Sequence, residues 1–70
     1  AMPYASNADL PAGLREKLPT HAQDIFRTAF NHAWRDHGDD ADREAIAHRI
    51  AWAAVKHRYE KQGERWAERV

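Results

Sequence analysis

The sequence predicts a mainly α-helical domain of three helices, at about residues 10–17, 21–36 and 42–62, arranged around the third helix. Two observations support this prediction. Apolar residues recur at the three- and four-residue spacing of a helix between residues 22 and 34. The segment 47–61 combines strong helix formers with apolar residues on nearly every side, as expected only for an element at the centre of a small domain.

The length and composition indicate one small domain, which we expect to span residues 1–70. Ala1 before Met2 is typical of the remnant of a cleaved tag. A domain of this size buries only roughly 60% of the surface that its unfolded chain exposes. Since the sequence has no cysteine, disulfides and thiolate zinc sites cannot reinforce the fold. We therefore expect aliphatic and aromatic packing to stabilise it.

The hydropathy pattern predicts a soluble, cytoplasmic protein that does not insert directly into a membrane. No apolar run approaches the roughly 20 residues that span a bilayer. No basic region followed by an apolar stretch marks a signal peptide. The formal net charge is +0 and the isoelectric point is about 7.2, whereas nucleic-acid-binding domains are usually basic.

The first helix is predicted from its start and stop signals. Pro11 suits the first helical position, because its missing N–H would have no partner within the helix. Leu10, Leu14 and Leu18 follow at four-residue spacing and so share one face. Pro19 ends the helix, because the residue before a proline is biased away from helical angles.

The second helix has the cleanest apolar periodicity in the chain. Thr20 and Gln23 have the spacing of a capping box, in which each side chain bonds the other residue's backbone N–H. The apolar stripe that follows extends over more than three turns and comprises Ala22, Ile25, Phe26, Ala29, Phe30, Ala33 and Trp34.

The third helix is predicted to begin after Asp42, as its cap, and to end before Gly63 in the left-handed conformation. At about 100° per residue its apolar residues form two opposed sides. One side comprises Ile46, Ile50, Ala53 and Ala54, and the other comprises His48, Trp52, Val55 and Tyr59. One side is expected to pack against the second helix. The other needs cover from Tyr4, the leucine face or Trp66.

These faces predict the core and the surface of the third helix. We expect the core to include Ile25, Phe26, Phe30, Trp34, Ile50, Trp52, Val55 and Tyr59. Only a narrow polar edge of the third helix then remains for contact with a partner. Arg49, Lys56 and Glu60 lie on that edge.

Three motifs together resemble the ChaB family of bacterial proteins: Met-Pro-Tyr at residues 2–4, LPTHAQDI at 18–25 and AWAAVK at 51–56. The resemblance covers essentially the whole chain. It implies a small two-stranded antiparallel sheet formed by the two chain ends, which would pair residues 2–4 with the region around Trp66. The alternating pattern of residues 64–70 independently indicates a strand there.

The resemblance also implies a function. The family's proposed role is to modulate a sodium, calcium or potassium/proton antiporter of the inner membrane, without a recognised catalytic set. We therefore expect a small non-enzymatic regulatory module whose partner is a protein, namely a cation/proton antiporter.

Nucleic acid is the alternative partner, because some family members are joined to regions resembling the N-terminal domain of transcription terminator Rho. A nucleic-acid-associated accessory module would use the C-terminal third, since residues 43–70 hold seven basic and four acidic residues.

The five histidines raise two further hypotheses. His32 with Asp36, and Glu44 with His48, lie four residues apart, but a closed zinc site needs four ligands, so neither a metal nor a cofactor is predicted. His48 and His57 could titrate near neutral pH as sensors or simply pack, and packing is preferred. The only serine has no neighbouring base, so no catalytic residue is predicted.

Overall fold

The computed structural model describes residues 3–69 and confirms the predicted three helices with a small two-stranded antiparallel sheet. The predictions that concern Ala1, Met2 and Val70 lie outside the described residues. The elements in chain order are a 3-10 turn at Asn7–Asp9, α1 at Ala12–Lys17, α2 at Thr20–Asp36, α3 at Arg43–Arg58, β1 at Tyr59–Gln62 and β2 at Arg65–Glu68.

The sheet is a C-terminal hairpin, so the prediction that it joins the two chain ends is wrong. Strands β1 and β2 pair from Tyr59↔Glu68 to Gln62↔Arg65. Gly63, in the turn between them, has φ 65°. A positive φ at the first position of a two-residue hairpin turn is the conformation that favours glycine there. The prediction that Gly63 caps the third helix is therefore wrong, although the positive φ expected of it is found, since it reverses a hairpin instead of ending a helix.

Helix α3 ends at Arg58, not at about residue 62 as predicted. Tyr59 has extended backbone, its side chain is buried, and its hydroxyl lies 3.1 Å from Nδ1 of His21. The backbone N–H of Arg69 donates to the carbonyl of Arg58 at 2.8 Å. Periodicity could not reveal this ending, because Glu, Lys and Gln after Tyr59 are good helix formers.

The N-terminal segment lies along α2 and not beside Trp66. The backbone N–H of Tyr4 donates to Oδ1 of Asn31, and Nδ2 of Asn31 donates to the carbonyl of Tyr4, both at 2.8 Å. The ring of Tyr4 packs 5.0 Å from that of Phe30. The Asn31 amide thus supplies the two backbone hydrogen bonds that a neighbouring strand would otherwise have supplied.

The start of α2 also differs from the prediction. Pro19 precedes the first helical residue, and no side chain caps the helix. The Gln23 side chain instead donates to the carbonyl of Leu18 at 2.8 Å. The predicted capping box is therefore absent, although its glutamine still satisfies a carbonyl at the same helix boundary.

The core lies mainly where one face of α2 meets one face of α3. Its buried residues are Leu10, Leu14, Leu18, Ala22, Phe26, Phe30, Ala33, Ala47, Ala51, Val55 and Tyr59. Ile25, Trp34 and Trp52 are half-buried against it. The leucines of the α1 region complete the core at one side of the α2–α3 pair.

The prediction of two opposed buried sides on α3 is wrong, and so is the placement of Ile50 in the core. The fully buried positions of α3 are Ala47, Ala51 and Val55, which form a single stripe at four-residue spacing. Ile50 is 40% exposed. It lies about 100° around the helix from Ala51, outside this stripe, where sequence periodicity cannot tell which apolar side finds a neighbour.

Candidate interaction surface

The three residues predicted to contact a partner do not share one surface. Arg49 lines a cavity beside Tyr4, whereas Lys56 lines a different cavity beside Trp66. Glu60 lies in β1, because the chain has left the helix by that point. Alternation along the strand directs Glu60 away from the side that carries Lys61. The polar edge expected on α3 is therefore divided among three places.

A pair of tryptophans anchors the hairpin to the core. The ring centroids of Trp52 and Trp66 lie 5.4 Å apart with an interplanar angle of 36°. On its other side, Trp52 contacts buried Phe26 edge-on at 5.5 Å. Both indoles are half-buried. Trp66 is thereby held in position through Trp52, while part of its surface remains accessible.

Lysines surround this pair and form with it an open depression of about 300 Å³. We name this site the indole–lysine pocket; its lining comprises Lys17, Trp52, Lys56, Lys61 and Trp66. Its lysines, which are the only three in the sequence, come from the end of α1, from α3 and from β1. Lys61 stands directly opposite Trp66 in the hairpin, and residues in that relationship share a face.

The lysine charges of the pocket are available to a ligand. Across residues 3–69, the lysine Nζ atoms take part in no ion pair or hydrogen bond, and all three lysines are exposed. Nearby arginines differ: Arg58 lies 3.2 Å from Glu68, and Nε of Arg69 donates to the Lys56 carbonyl. Each ammonium can donate three hydrogen bonds, so the pocket suits a partner rich in acceptors.

The surface continues beyond the pocket around Trp66. On one side Glu64 lines an adjoining hollow with Lys17 and Lys61. On another, a groove of about 470 Å³ extends past Pro19 and includes Glu16. Carboxylates therefore border the site but do not line the indole–lysine pocket itself.

A second cavity, of about 460 Å³, lies between the N-terminal segment and α3. Tyr4, Phe30, Glu44, His48 and Arg49 are among its lining residues. Burial, together with the nearby carboxylate of Glu44, raises the pKa of the Tyr4 hydroxyl above its usual value. This cavity holds one of the predicted contact residues, Arg49, but no lysine.

The two histidines considered as sensors lie in different surroundings. The indole N–H of Trp52 donates to Nε2 of His48 at 3.0 Å, and the His48 ring also contacts Phe26 edge-on. His57 is exposed. His48 is thus the histidine that the structure connects to the indole–lysine pocket.

Residues 3–69 lack both a cluster of metal-binding side chains and a membrane-spanning helix. Within residues 3–69, no three His, Asp or Glu side chains come close enough together to hold a metal ion. No helix in the same range is long and apolar enough to cross a membrane.

Sequence reasoning singled out Lys56 but missed the pocket around it. In the sequence predictions, Lys61 is included only among the seven basic residues of the C-terminal third. Trp66 is included as cover for α3 and as part of a strand, and Lys17 has no predicted role. The sequence feature that points to these residues is that the chain contains just three lysines but a larger number of arginines. Their common location depends on the packing of α1 and the hairpin beside α3.

Comparison with known proteins places these features in a context. The sequence model of the ChaB family matches residues 10–69. The "Putative cation transport regulator ChaB" of Escherichia coli strain K12 is 53% identical, over 86% of this chain and 87% of that protein. The protein of the same name from Shigella flexneri matches with the same identity and coverage.

A solved structure also matches the fold. The solution NMR structure of a protein described as "the putative cation transport regulator ChaB" superposes with a TM-score of 0.81. It is 47% identical in sequence, and the match covers 97% of this chain and 100% of that one. The similarity therefore extends over both the helices and the C-terminal hairpin.

Proposed function

Because the chain belongs to the ChaB family, we propose that it regulates a cation/proton antiporter through direct protein contact. Its relatives are named as cation transport regulators, which supports a regulatory role without chemistry of its own. The proposal specifies that the target is an antiporter and that the mechanism is direct protein contact. The contact would take place at the cytoplasmic face of the membrane.

The indole–lysine pocket is the observation that carries this proposal. Tryptophans in part-buried pockets are frequent energetic anchors of protein interfaces. Here two indoles lie at the surface with three lysine ammonium groups around them. Such a combination provides apolar contact area and charge attraction at one place, as a protein-binding module requires.

Cation/proton exchange in inverted membrane vesicles tests the proposal. The vesicles are prepared from the source cell after deletion of this gene, and purified protein is added to the exposed cytoplasmic face. We expect the apparent cation affinity of exchange to change by about fivefold or more, the usual scale of allosteric coupling. If sodium, calcium and potassium exchange are all unchanged by saturating protein, the proposal is wrong.

A nucleic-acid-associated accessory module is the second candidate, because paired aromatic rings flanked by cations can also stack unpaired bases. The basic C-terminal third supports it less well, since Arg58 lies beside Glu68 and Arg69 lies 4.0 Å from Glu60. Binding of single-stranded DNA or RNA that weakens steeply with salt would favour this candidate. We expect no such binding at physiological salt.

A further inference from the structure

We propose that the indole–lysine pocket binds an acidic protein segment that carries one aromatic or branched apolar side chain. That side chain would lie against Trp66, and the flanking carboxylates would face the lysines. Since this rests on the proposed function, the segment would belong to the antiporter. The pocket would then be the place where the regulator recognises its target.

The shape of the pocket favours a protein segment over a lipid surface. The site is an open depression of about 300 Å³, which one large side chain can cover. Trp66 is half-buried and held against Trp52, so its indole does not project outward as an interfacial membrane anchor would. A planar headgroup layer would contact the lysine ends but would not fill the cavity.

The charges specify an acidic partner. The lining of the pocket contains three lysines and no carboxylate. Because lysine ammoniums act as compact point charges on flexible stems, they attract carboxylates without demanding the planar geometry that arginine favours. Glu64, at the adjoining end, would repel an acidic segment there. The segment is therefore expected to run on the side of Lys56 and to avoid Glu64.

Nucleic acid fits the same surface less well. A phosphate backbone would need a longer track of unpaired positive charge than one pocket provides. The neighbouring Arg58 and Arg69 lie within 4.0 Å of glutamate oxygens, so they do not extend the site as free cations. An acidic peptide needs only the local cluster.

Fluorescence anisotropy with a synthetic peptide tests this proposal. The probe is a fluorescein-labelled peptide with one central Phe between Glu and Asp residues, and full-length protein is titrated into it. Matched peptides replace Phe with Ala, or every acidic residue with its amide. We expect each change in the peptide to weaken binding about tenfold, as removal of an interface anchor typically does.

Protein variants locate the binding to the pocket. Lys56→Gln with Lys61→Gln should weaken binding about tenfold and reduce its salt dependence, while both positions are exposed and leave the fold intact. Arg35→Gln removes an exposed positive charge that lines none of the cavities around Trp66, and it should bind like the parent. Trp66→Ala should abolish binding, with folding checked by circular dichroism.

Three results would overturn the proposal. The first is equal binding by the double lysine variant and the parent. The second is absence of peptide binding by the folded parent protein. The third is tighter binding of phosphatidylglycerol vesicles or oligothymidylate than of the peptide. The vesicle exchange assay separates this failure from that of the proposed function. If exchange responds to the protein but no peptide binds, only the proposal that the pocket is the binding site is wrong. If the peptide binds but exchange does not respond, only the proposal that the target is an antiporter is wrong.

Discussion

The indole rings of Trp52 and Trp66 lie 5.4 Å apart and join the C-terminal hairpin to helix α3. This contact brings Lys61, which stands opposite Trp66, to the same pocket as Lys56. The pocket therefore depends on correct formation of the hairpin. Changes that loosen the hairpin should weaken both stability and the surface available to a partner.

Gly63 provides the first test of the hairpin. Its φ of 65° is unfavourable for residues with a Cβ, although nothing lies within 4 Å of the position that a Cβ would occupy. Gly63→Ala should therefore lower the free energy of unfolding by about 1 kcal/mol, for conformational reasons alone. Gly63→Asn should cost less, because asparagine tolerates left-handed angles. Urea denaturation measures both, and equal stability of Gly63→Ala and the parent would contradict this account of the turn.

Asn31 tests how the N-terminal segment is held. Asn31→Ala removes both hydrogen bonds to the backbone of Tyr4, and it should lower the free energy of unfolding by about 1–3 kcal/mol. Asn31→Asp keeps the acceptor for the Tyr4 N–H but loses the donor to the Tyr4 carbonyl. Its decrease in the free energy of unfolding should therefore differ from that of Asn31→Ala. His32→Ala is the control at the neighbouring exposed position. Hydrogen exchange at the Tyr4 amide should accelerate in Asn31→Ala, whereas unchanged exchange would argue against the pairing.

Ile50 and Val55 test which side of α3 is buried. Ile50→Gln should change the free energy of unfolding by no more than about 0.5 kcal/mol, because the side chain is largely outside the core. Val55→Ala should cost about 2 kcal/mol, since it removes two methyl groups from a fully buried position. Thermal and urea denaturation give the comparison. A larger loss for Ile50→Gln than for Val55→Ala would restore the original prediction from the sequence.

Tyr59 sets the expected stability at alkaline pH. Burial, and after it the carboxylate of Glu68, raises the pKa of the Tyr59 hydroxyl above its usual value of 10.0, although Arg58 acts in the opposite direction. In the unfolded chain the hydroxyl ionises near 10.0, whereas in the fold it remains protonated to higher pH. The free energy of unfolding should therefore be unaffected by this group below pH 10.0 and should fall as pH rises above it.

Tyr59→Phe is the corresponding variant. It should reduce the alkaline loss of stability, while costing about 1 kcal/mol at neutral pH through loss of the contact with His21. Tyr4→Phe should likewise reduce the alkaline loss, because the pKa of Tyr4 is also raised by burial. Stability curves of Tyr59→Phe and the parent that remain parallel above pH 10.0 would refute this role of Tyr59.

His48 connects the third helix to the indole–lysine pocket through Trp52. Its Nε2 accepts the Trp52 indole N–H at 3.0 Å. His48→Ala removes this acceptor, so the NMR signal of the Trp52 indole proton should shift. His48→Gln should shift it less, because an amide oxygen can also accept, and His57→Gln should leave it unchanged. An unchanged signal in His48→Ala would contradict this hydrogen bond.

The accuracy of the sequence predictions varies with how local each signal is. The apolar stripe of α2 was sufficient to predict where this helix lies in the sequence and which of its sides faces the core, because spacing within one helix specifies that side. On α3 the apolar residues surround the helix, and Ile50 was therefore assigned to the core although Ala51 and Val55 occupy it. The end of α3 was also missed, since Tyr59 begins a strand among residues that favour helix.

The candidate site was less predictable than the fold. Arg49, Lys56 and Glu60 are the predicted contact residues. Lys56 lines the indole–lysine pocket, whereas Arg49 and Glu60 lie elsewhere. Lys17 and Lys61 join Lys56 only because α1 and the hairpin pack at the same side of α3. No local pattern encodes such a juxtaposition of segments that are distant along the chain.

Residue order alone was enough to establish three helices, the left-handed conformation of Gly63 and the family to which the chain belongs. These features depend on propensities and spacings within short segments. Packing between distant segments settled the rest. Asn31 binds the backbone of Tyr4, so the described N-terminal segment lies along α2 and not beside the hairpin. Trp52 packs against Trp66 at a tilted angle, so the hairpin lies against α3. Each of these outcomes depends on which surfaces remain free after the helices have packed.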